Sequence, residues 1–153
     1  MVGAPAAEPG RFVQRVVEER GVVLSSAKVR TLLAGRVDEA AMDSRARELL
    51  EAAILKRLQT GQTVVVPIEG FDAEERERYV RLAHGQRRPR HLILLEAPRD
   101  QVPDELRPAL DELRRALDAG ELGAEGFQTV LRVGGNAVGE LKRIVFRPPP
   151  RED

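Results

Sequence analysis

The stretch Thr63-Val64-Val65-Val66-Pro67-Ile68-Glu69-Gly70 constrains this chain most. Three consecutive valines follow Gly61-Gln62-Thr63, and the run breaks at a proline and a glycine. A short β-branched run without polar alternation reads as a strand buried on both faces. Long helical patterns flank it. In an open α/β sheet, ligands bind just past the carboxyl ends of such strands. The loop from Pro67 to Asp72 is therefore the expected ligand-binding region.

At 153 residues the chain fits a single domain with a real core, expected over residues 1–147, and a frayed tail over 148–153 that opens on prolines. It is 42% hydrophobic and 33% charged, a globular composition. The 25 basic and 25 acidic residues cancel, which removes any global pull toward nucleic acid or anionic membranes and leaves only local basic patches for nucleic acid. Cysteine is absent, so disulfides, thiolate metal sites and a Cys nucleophile are excluded. No apolar run approaches the ~20 residues of a membrane span. The start has no signal-peptide layout, and a cytoplasmic protein is the expectation. With 3% aromatics and no Trp, base-stacking platforms are not expected.

Met1 to Gly10 reads as a loop. Phe12, Val13, Val16 and Val17 give Arg11 to Arg20 one apolar helical face, with Gly21 as a stop. Val22 to Leu24 is a short strand, and Ser25 and Ser26 offer N-caps for a helix from Ala27 to Ala34. Asp38 to Thr60 is a long helix with Ala46, Leu49, Leu50, Ala53 and Ile54 as its buried stripe. Asp72 caps a helix that ends at Gly85, with Glu74 and Glu75 in its first turn. His91 to Leu95 is a second buried strand. Asp104 to Asp118 is helical, with Pro108 near its start. Gly120, Gly123 and Gly126 mark a loop. Phe127 to Val133 and Arg143 to Arg147 are strands, joined through a turn at Gly134-Gly135-Asn136. Alternating strands and helices of these lengths predict an α/β three-layer sandwich with a mostly parallel sheet and right-handed crossovers.

Three stretches carry a family likeness: Val2-Gly3-Ala4-Pro5 followed by Phe12-Val13, Val22 to Arg30, and Leu58 to Val66. Val102-Pro103-Asp104-Glu105 and Glu125 to Val130 extend it. The chain resembles P-loop kinases of the polynucleotide 5'-kinase type, close to the kinase domains of bacterial polynucleotide kinase-phosphatases. The resemblance implies a P-loop-kinase-like fold with a phosphate loop holding Gly3, Ala4, Pro5 and Gly10. It also implies an acceptor-side anion site at Ser25, Ser26 and Arg30, a lid arginine at Arg99, and an acidic loop represented by Glu69.

The departures are chemical. In G-x-x-x-x-G-K-[ST], backbone N–H groups cradle phosphates, the lysine reaches the β/γ oxygens and the hydroxyl holds Mg²⁺. Counted from Gly3, the second glycine falls on Glu8, the lysine on Pro9 and the hydroxyl on Gly10. The family's general-base aspartate falls on Ala27, and its D-x-T-N on Pro67-Ile68-Glu69-Gly70. Phosphoryl transfer rests on positioning and electrostatics, so these losses fall on the same step. In the family the first strand precedes the phosphate loop, whereas here only Met1 and Val2 precede Gly3. Either the sheet lacks that strand, a partner or another segment fills its slot, or the natural start lies upstream.

Ordinary readings stand beside these. A Gly-rich start is usually a loop, a helical arginine such as Arg30 is usually solvated or paired, and Arg87, Arg88 and Arg90 read as a solvated loop. His84 and His91 lack companions at metal spacing, so no metal is expected. Three functions follow. The first is a degenerate kinase-fold protein that binds an unknown protein or ligand, with no catalytic residue and no cofactor. The second is an active ATP- and Mg-dependent kinase or nucleotide-binding protein built on Arg30, Glu69 and Arg99. The third is an oligomeric assembly protein that pairs through strand addition.

Overall fold

The structure, a computed structural model, describes residues 1–17 and 20–144. Its sheet contains β1 (Val2–Gly3), β2 (Ile68–Glu69), β3 (His91–Leu95) and β4 (Thr129–Val133). They run in the spatial order β2-β1-β3-β4, and every pairing between them is parallel. A parallel bridge between Val23 and Val65 adds the Val22–Leu24 stretch outside β2. Seven α-helices are present among the described residues: α1 (Pro9–Val16), α2 (Ser26–Leu33), α3 (Glu39–Gln59), α4 (Ala73–Gly85), α5 (Arg107–Asp118), α6 (Leu122–Glu125) and α7 (Asn136–Glu140). This is the α/β architecture that the alternation of strands and helices predicts.

Val2 and Gly3 occupy the central position of the sheet. Val2 pairs with Ile68 on one side and Leu94 on the other, so two residues form the centre of the sheet. The Ile68 N–H donates to the Met1 carbonyl at 2.7 Å, and the Met1 amine donates to the Val66 carbonyl at 2.8 Å.

The valine run divides its pairing at the proline. Val65 bonds outward, accepting from the Leu24 N–H at 3.0 Å and donating to the Val22 carbonyl at 2.8 Å. Ile68 and Gly70 bond inward, to Met1 and Gly3. Pro67 shares the outward parity of Val65, at a level where the Val22–Leu24 stretch has already ended. Its missing N–H therefore breaks no ladder bond, the edge placement that proline requires. Val65 and Ile68 are buried, but Val64 and Val66 are half-buried and Thr63 is exposed, so the expectation of a run buried throughout is corrected. The regular strand starts at Ile68 rather than within the valines.

Successive residues of β3 face opposite layers. Leu95, with Ile93 against it, packs with Phe12, Val13 and Val16 of α1. Leu92 and Leu94 pack with Leu110 and Leu113 of α5. A third cluster joins Val29 of α2 to Ala46, Leu50, Ile54 and Leu58 of α3 and Ala83 of α4. Leu49 is 42% exposed, a correction to the expected stripe, which runs at a spacing of four through Ala46, Leu50, Ile54 and Leu58.

Several boundaries move for local reasons. Helix α1 starts at Pro9, because proline suits the first turn where no N–H is needed. The long helix expected from Asp104 divides into a 3₁₀ turn, Asp104–Leu106, and α5, with Pro108 in the first turn of α5. The expected glycine loop contains α6, and the expected turn at Asn136 opens α7. Arg143 and Ile144 lie outside any strand, and the rest of the expected strand to Arg147, like the expected tail, falls outside the described residues. Among the described residues, no helix is long and apolar enough to cross a membrane.

Arg76 locks α4 to the chain around it. It is 5% exposed, donates to Glu125 at 2.8 Å and to the Phe71 carbonyl at 2.8 Å. Removing one partner of a buried pair leaves the other charge uncompensated. Arg76→Ala is expected to lower unfolding free energy by about 3–5 kcal/mol, measured by urea denaturation. The Met1 amine gives a second test, because burial pushes its pKa down to about 5. Between that value and 8.0 the unfolded chain binds the extra proton and the folded chain does not. Stability should therefore rise as pH climbs from about 5 to 8, read as a rising urea midpoint.

Candidate functional site

The carboxyl ends of the parallel strands bring Gly3, Glu69, Gly70, Glu96 and Gly134 to one end of the sheet. Gly3 is in register with Glu69, and the Gly70 N–H donates to the Gly3 carbonyl at 2.7 Å. A Cβ on Gly3 would lie 3.1 Å from the Pro9 side chain and 3.2 Å from the Leu95 side chain. Glycine is thus what lets the loop after β1 fold back onto the sheet.

That loop is built from its own backbone. After buried Ala4, residues Pro5–Ala7 make a 3₁₀ turn. The Ala7 N–H donates to the Ala4 carbonyl at 2.9 Å, and the Glu8 N–H to the Pro5 carbonyl at 3.0 Å. Two N–H groups are thereby satisfied within the loop. Glu8 adopts φ 45°, ψ 62°, the left-handed region, at the position where the phosphate-loop pattern has its second glycine. A side chain there costs roughly 1–2 kcal/mol. The Glu8 carboxylate sits at the N-terminus of α1, the end that favours an anion. It contacts Arg11 at 3.4 Å in a well-exposed and therefore weak pair. Pro9 is fully buried against Gly3, and Gly10 is exposed. Gly3, Ala4 and Pro5 thus lie where β1 runs into the loop, whereas Gly10 is the second residue of α1. The loop carries a carboxylate and a proline ring where its pattern has glycine and lysine.

The acceptor-side residues are partly assembled. Ser25 caps α2, its Oγ accepting the Lys28 N–H at 3.1 Å, so its acceptor faces its own helix. Ser26 Oγ accepts from Arg30 Nε at 3.3 Å. Arg30 is also ion-paired with Asp43 of α3. Glu69 is exposed beside Gly3, and Arg99 is exposed in a 3₁₀ turn, Arg99–Gln101, beyond β3. Among the described residues, no hydrogen bond or ion pair joins Arg30, Glu69 and Arg99 to one another.

The charged cluster nearest the sheet's end was not legible in the sequence. Glu96 follows β3, and its N–H donates to the Val133 carbonyl at 2.8 Å. Its carboxylate accepts from Arg114 of α5 and from Arg132 of β4, the latter at 2.8 Å. Asp118 approaches Arg132 at 3.6 Å. Burial pushes the Glu96 carboxyl up, but the hydrogen bonds and charges of the two guanidiniums outweigh it and hold the group below its ordinary range. The one sequence signal is a carboxylate placed directly after an apolar strand. Its partners are 18 and 36 positions away. Arg87 to Arg90 are also less solvated than expected. Arg88 and Arg90 are half-buried and donate to carbonyls of Leu58, Gly126 and Arg88 itself.

A parallel sheet with a glycine-started loop running from its central strand into a helix defines a P-loop NTPase-like α/β domain of the kinase kind. An AAA domain family model matches residues 1–108, and the chain belongs to that family. No curated protein matches the chain significantly.

Because the Glu96 carboxyl is held below its ordinary value, its pairing supports the fold above about pH 4.5 and is lost as pH falls through the lowered value. Glu96→Gln should cost about 1–3 kcal/mol at neutral pH by leaving guanidinium donors without their acceptor. The gap between variant and parent should narrow in urea titrations below pH 4.5.

Proposed function

We infer that the chain is a catalytically degenerate P-loop-kinase-like protein of polynucleotide-kinase type ancestry, which works by binding a partner or ligand rather than by transferring phosphate. The loop after β1 carries this reading. Glu8 puts a negative charge at the helix N-terminus where phosphate oxygens would approach. Pro9 supplies neither cation nor N–H and is packed into the core against Gly3. Gly10 supplies no hydroxyl for a magnesium ion. Elsewhere, Arg30 is engaged by Asp43, and Arg114 and Arg132 by Glu96. Three arginines suited to an anionic substrate thus already have carboxylate partners.

A nucleotide thermal-shift measurement tests the reading. A ligand at about 100 times its dissociation constant adds about 2.7 kcal/mol, a readily visible shift. The parent protein should show no shift with Mg-ATP or Mg-GTP. The triple variant Glu8→Gly, Pro9→Lys, Gly10→Ser should gain one. Turnover of ATP with a 5'-hydroxyl oligonucleotide by the parent protein would overturn the reading.

A further inference from the structure

Beyond β4 the chain turns at Gly134 and Gly135, forms α7 and runs on to Ile144 as a strap beside α1. Val138, Leu141 and Ile144 recur every third position and are half-buried. They pack against the cluster that holds Phe12, Val13 and Val16 of α1 with Leu95 and Val133 of the sheet. The strap is thus the outermost piece of that apolar layer.

Two contacts fasten it to α1. The Arg15 guanidinium donates to the carbonyl of Val138 and to that of Gly139, the latter at 3.4 Å. Carbonyls in the last turn of a helix have no partner within the helix, so Arg15 supplies what α7 lacks. The same guanidinium lies 5.4 Å from the centre of the Phe12 ring. Farther along, the Ile144 N–H donates to the Val16 carbonyl at 2.9 Å. Phe12, Arg15 and Val16 stand at i, i+3 and i+4, so one face of α1 receives the strap.

The turn that starts the strap is made of glycine for two separate reasons. A Cβ on Gly134 would lie 3.0 Å from the Glu96 Cβ, so the turn sits directly on the end of β3. Gly135 has φ 58°, ψ −137°, a backbone conformation that glycine adopts without steric cost and other residues do not. Below the turn, β4 is held to β3 by five consecutive residue pairs. The strap has a five-residue helix and three half-buried apolar side chains. Segments with few buried apolar contacts open at lower free energy than the core they cover.

We propose that residues 136–144 are a latch that opens as one unit about Gly134 and Gly135, with Arg15 as its catch. Opening breaks the Arg15 and Ile144 contacts together and uncovers the apolar face of α1 at Phe12 and Val16. That helix continues directly from the loop after β1, so the latch governs access to the side of the helix that the loop positions. The device stands apart from the chemistry of that loop and does not depend on whether the loop binds phosphate.

The absence of cysteine makes the test direct, because a single introduced thiol is the only one in the chain. Val16 is fully buried, and Val16→Cys is close to isosteric. Its thiol should react with DTNB under native conditions, at a rate that rises only shallowly with low concentrations of urea. A shallow slope marks an opening that exposes little surface. The thiol of Ala46→Cys, buried between α2 and α3, serves as the comparison and should react with the steep slope of global unfolding. Arg15→Ala should speed labelling at position 16 about fivefold to tenfold and keep the slope shallow, the scale of an exposed charge-assisted hydrogen bond. Gly135→Ala should speed it as well, by straining the closed turn. In the unsubstituted protein, the Leu141 and Ile144 amides should exchange with one shared opening free energy. A steep slope at position 16, indifference to Arg15→Ala or to Gly135→Ala, or graded exchange that rises toward Ile144 would overturn the proposal, since a merely fraying segment behaves in that way.

Discussion

Hydrogen bonding on both sides of Val2 and Gly3 sets the middle of the sheet. These two residues join Ile68–Glu69 to β3, and among the described residues no other strand pairing bridges the two halves. The Met1 amine adds a hydrogen bond to the Val66 carbonyl. The same two residues place the helix α1 loop, because Gly3 has no side chain to hold Pro9 and Leu95 apart. One short segment thus fixes both the centre of the sheet and the loop at its carboxyl end.

Charge is distributed to match. Five ion pairs lie on exposed surfaces at i,i+3 or i,i+4 spacing, where solvent makes them worth little. Two sites are different. Arg76 with Glu125 ties α4 to the end of α6, and Glu96 with Arg114 and Arg132 ties β3 to α5 and β4. Both are shielded enough that an unpartnered member would be costly. They fasten the later elements to the sheet that the first residues begin. Arg88 and Arg90 instead donate to main-chain carbonyls.

Strand β3 and helix α4 were legible residue for residue. His91 to Leu95 is an uninterrupted apolar run, and Asp72 caps α4 through its side chain as its position suggests. The valine run was read less well. Its β-branched composition signals extension, but which neighbour each residue bonds depends on where Val22–Leu24 and Met1–Gly3 lie in space. Of the site, the phosphate-loop likeness could be seen, since it is local in sequence, whereas the pairing of Arg30 with Asp43 could not. Glu96 could not be paired with Arg114 and Arg132, because arginine is abundant and nothing in the spacing singles those two out.

The sequence by itself determined the element types, the parallel α/β class and the identities that stand in the phosphate loop: a glutamate, a proline and a glycine. Those follow from periodicity, turn residues and local chemistry, which act over a few positions. Only the tertiary structure decided that Val2 and Gly3 lie at the centre of the sheet, that Pro67 falls on an outer edge, and that Glu96 collects two guanidiniums. Hydrogen bonds across a sheet and charges across layers depend on distance in space, and the sequence encodes that only through the packing of the whole chain.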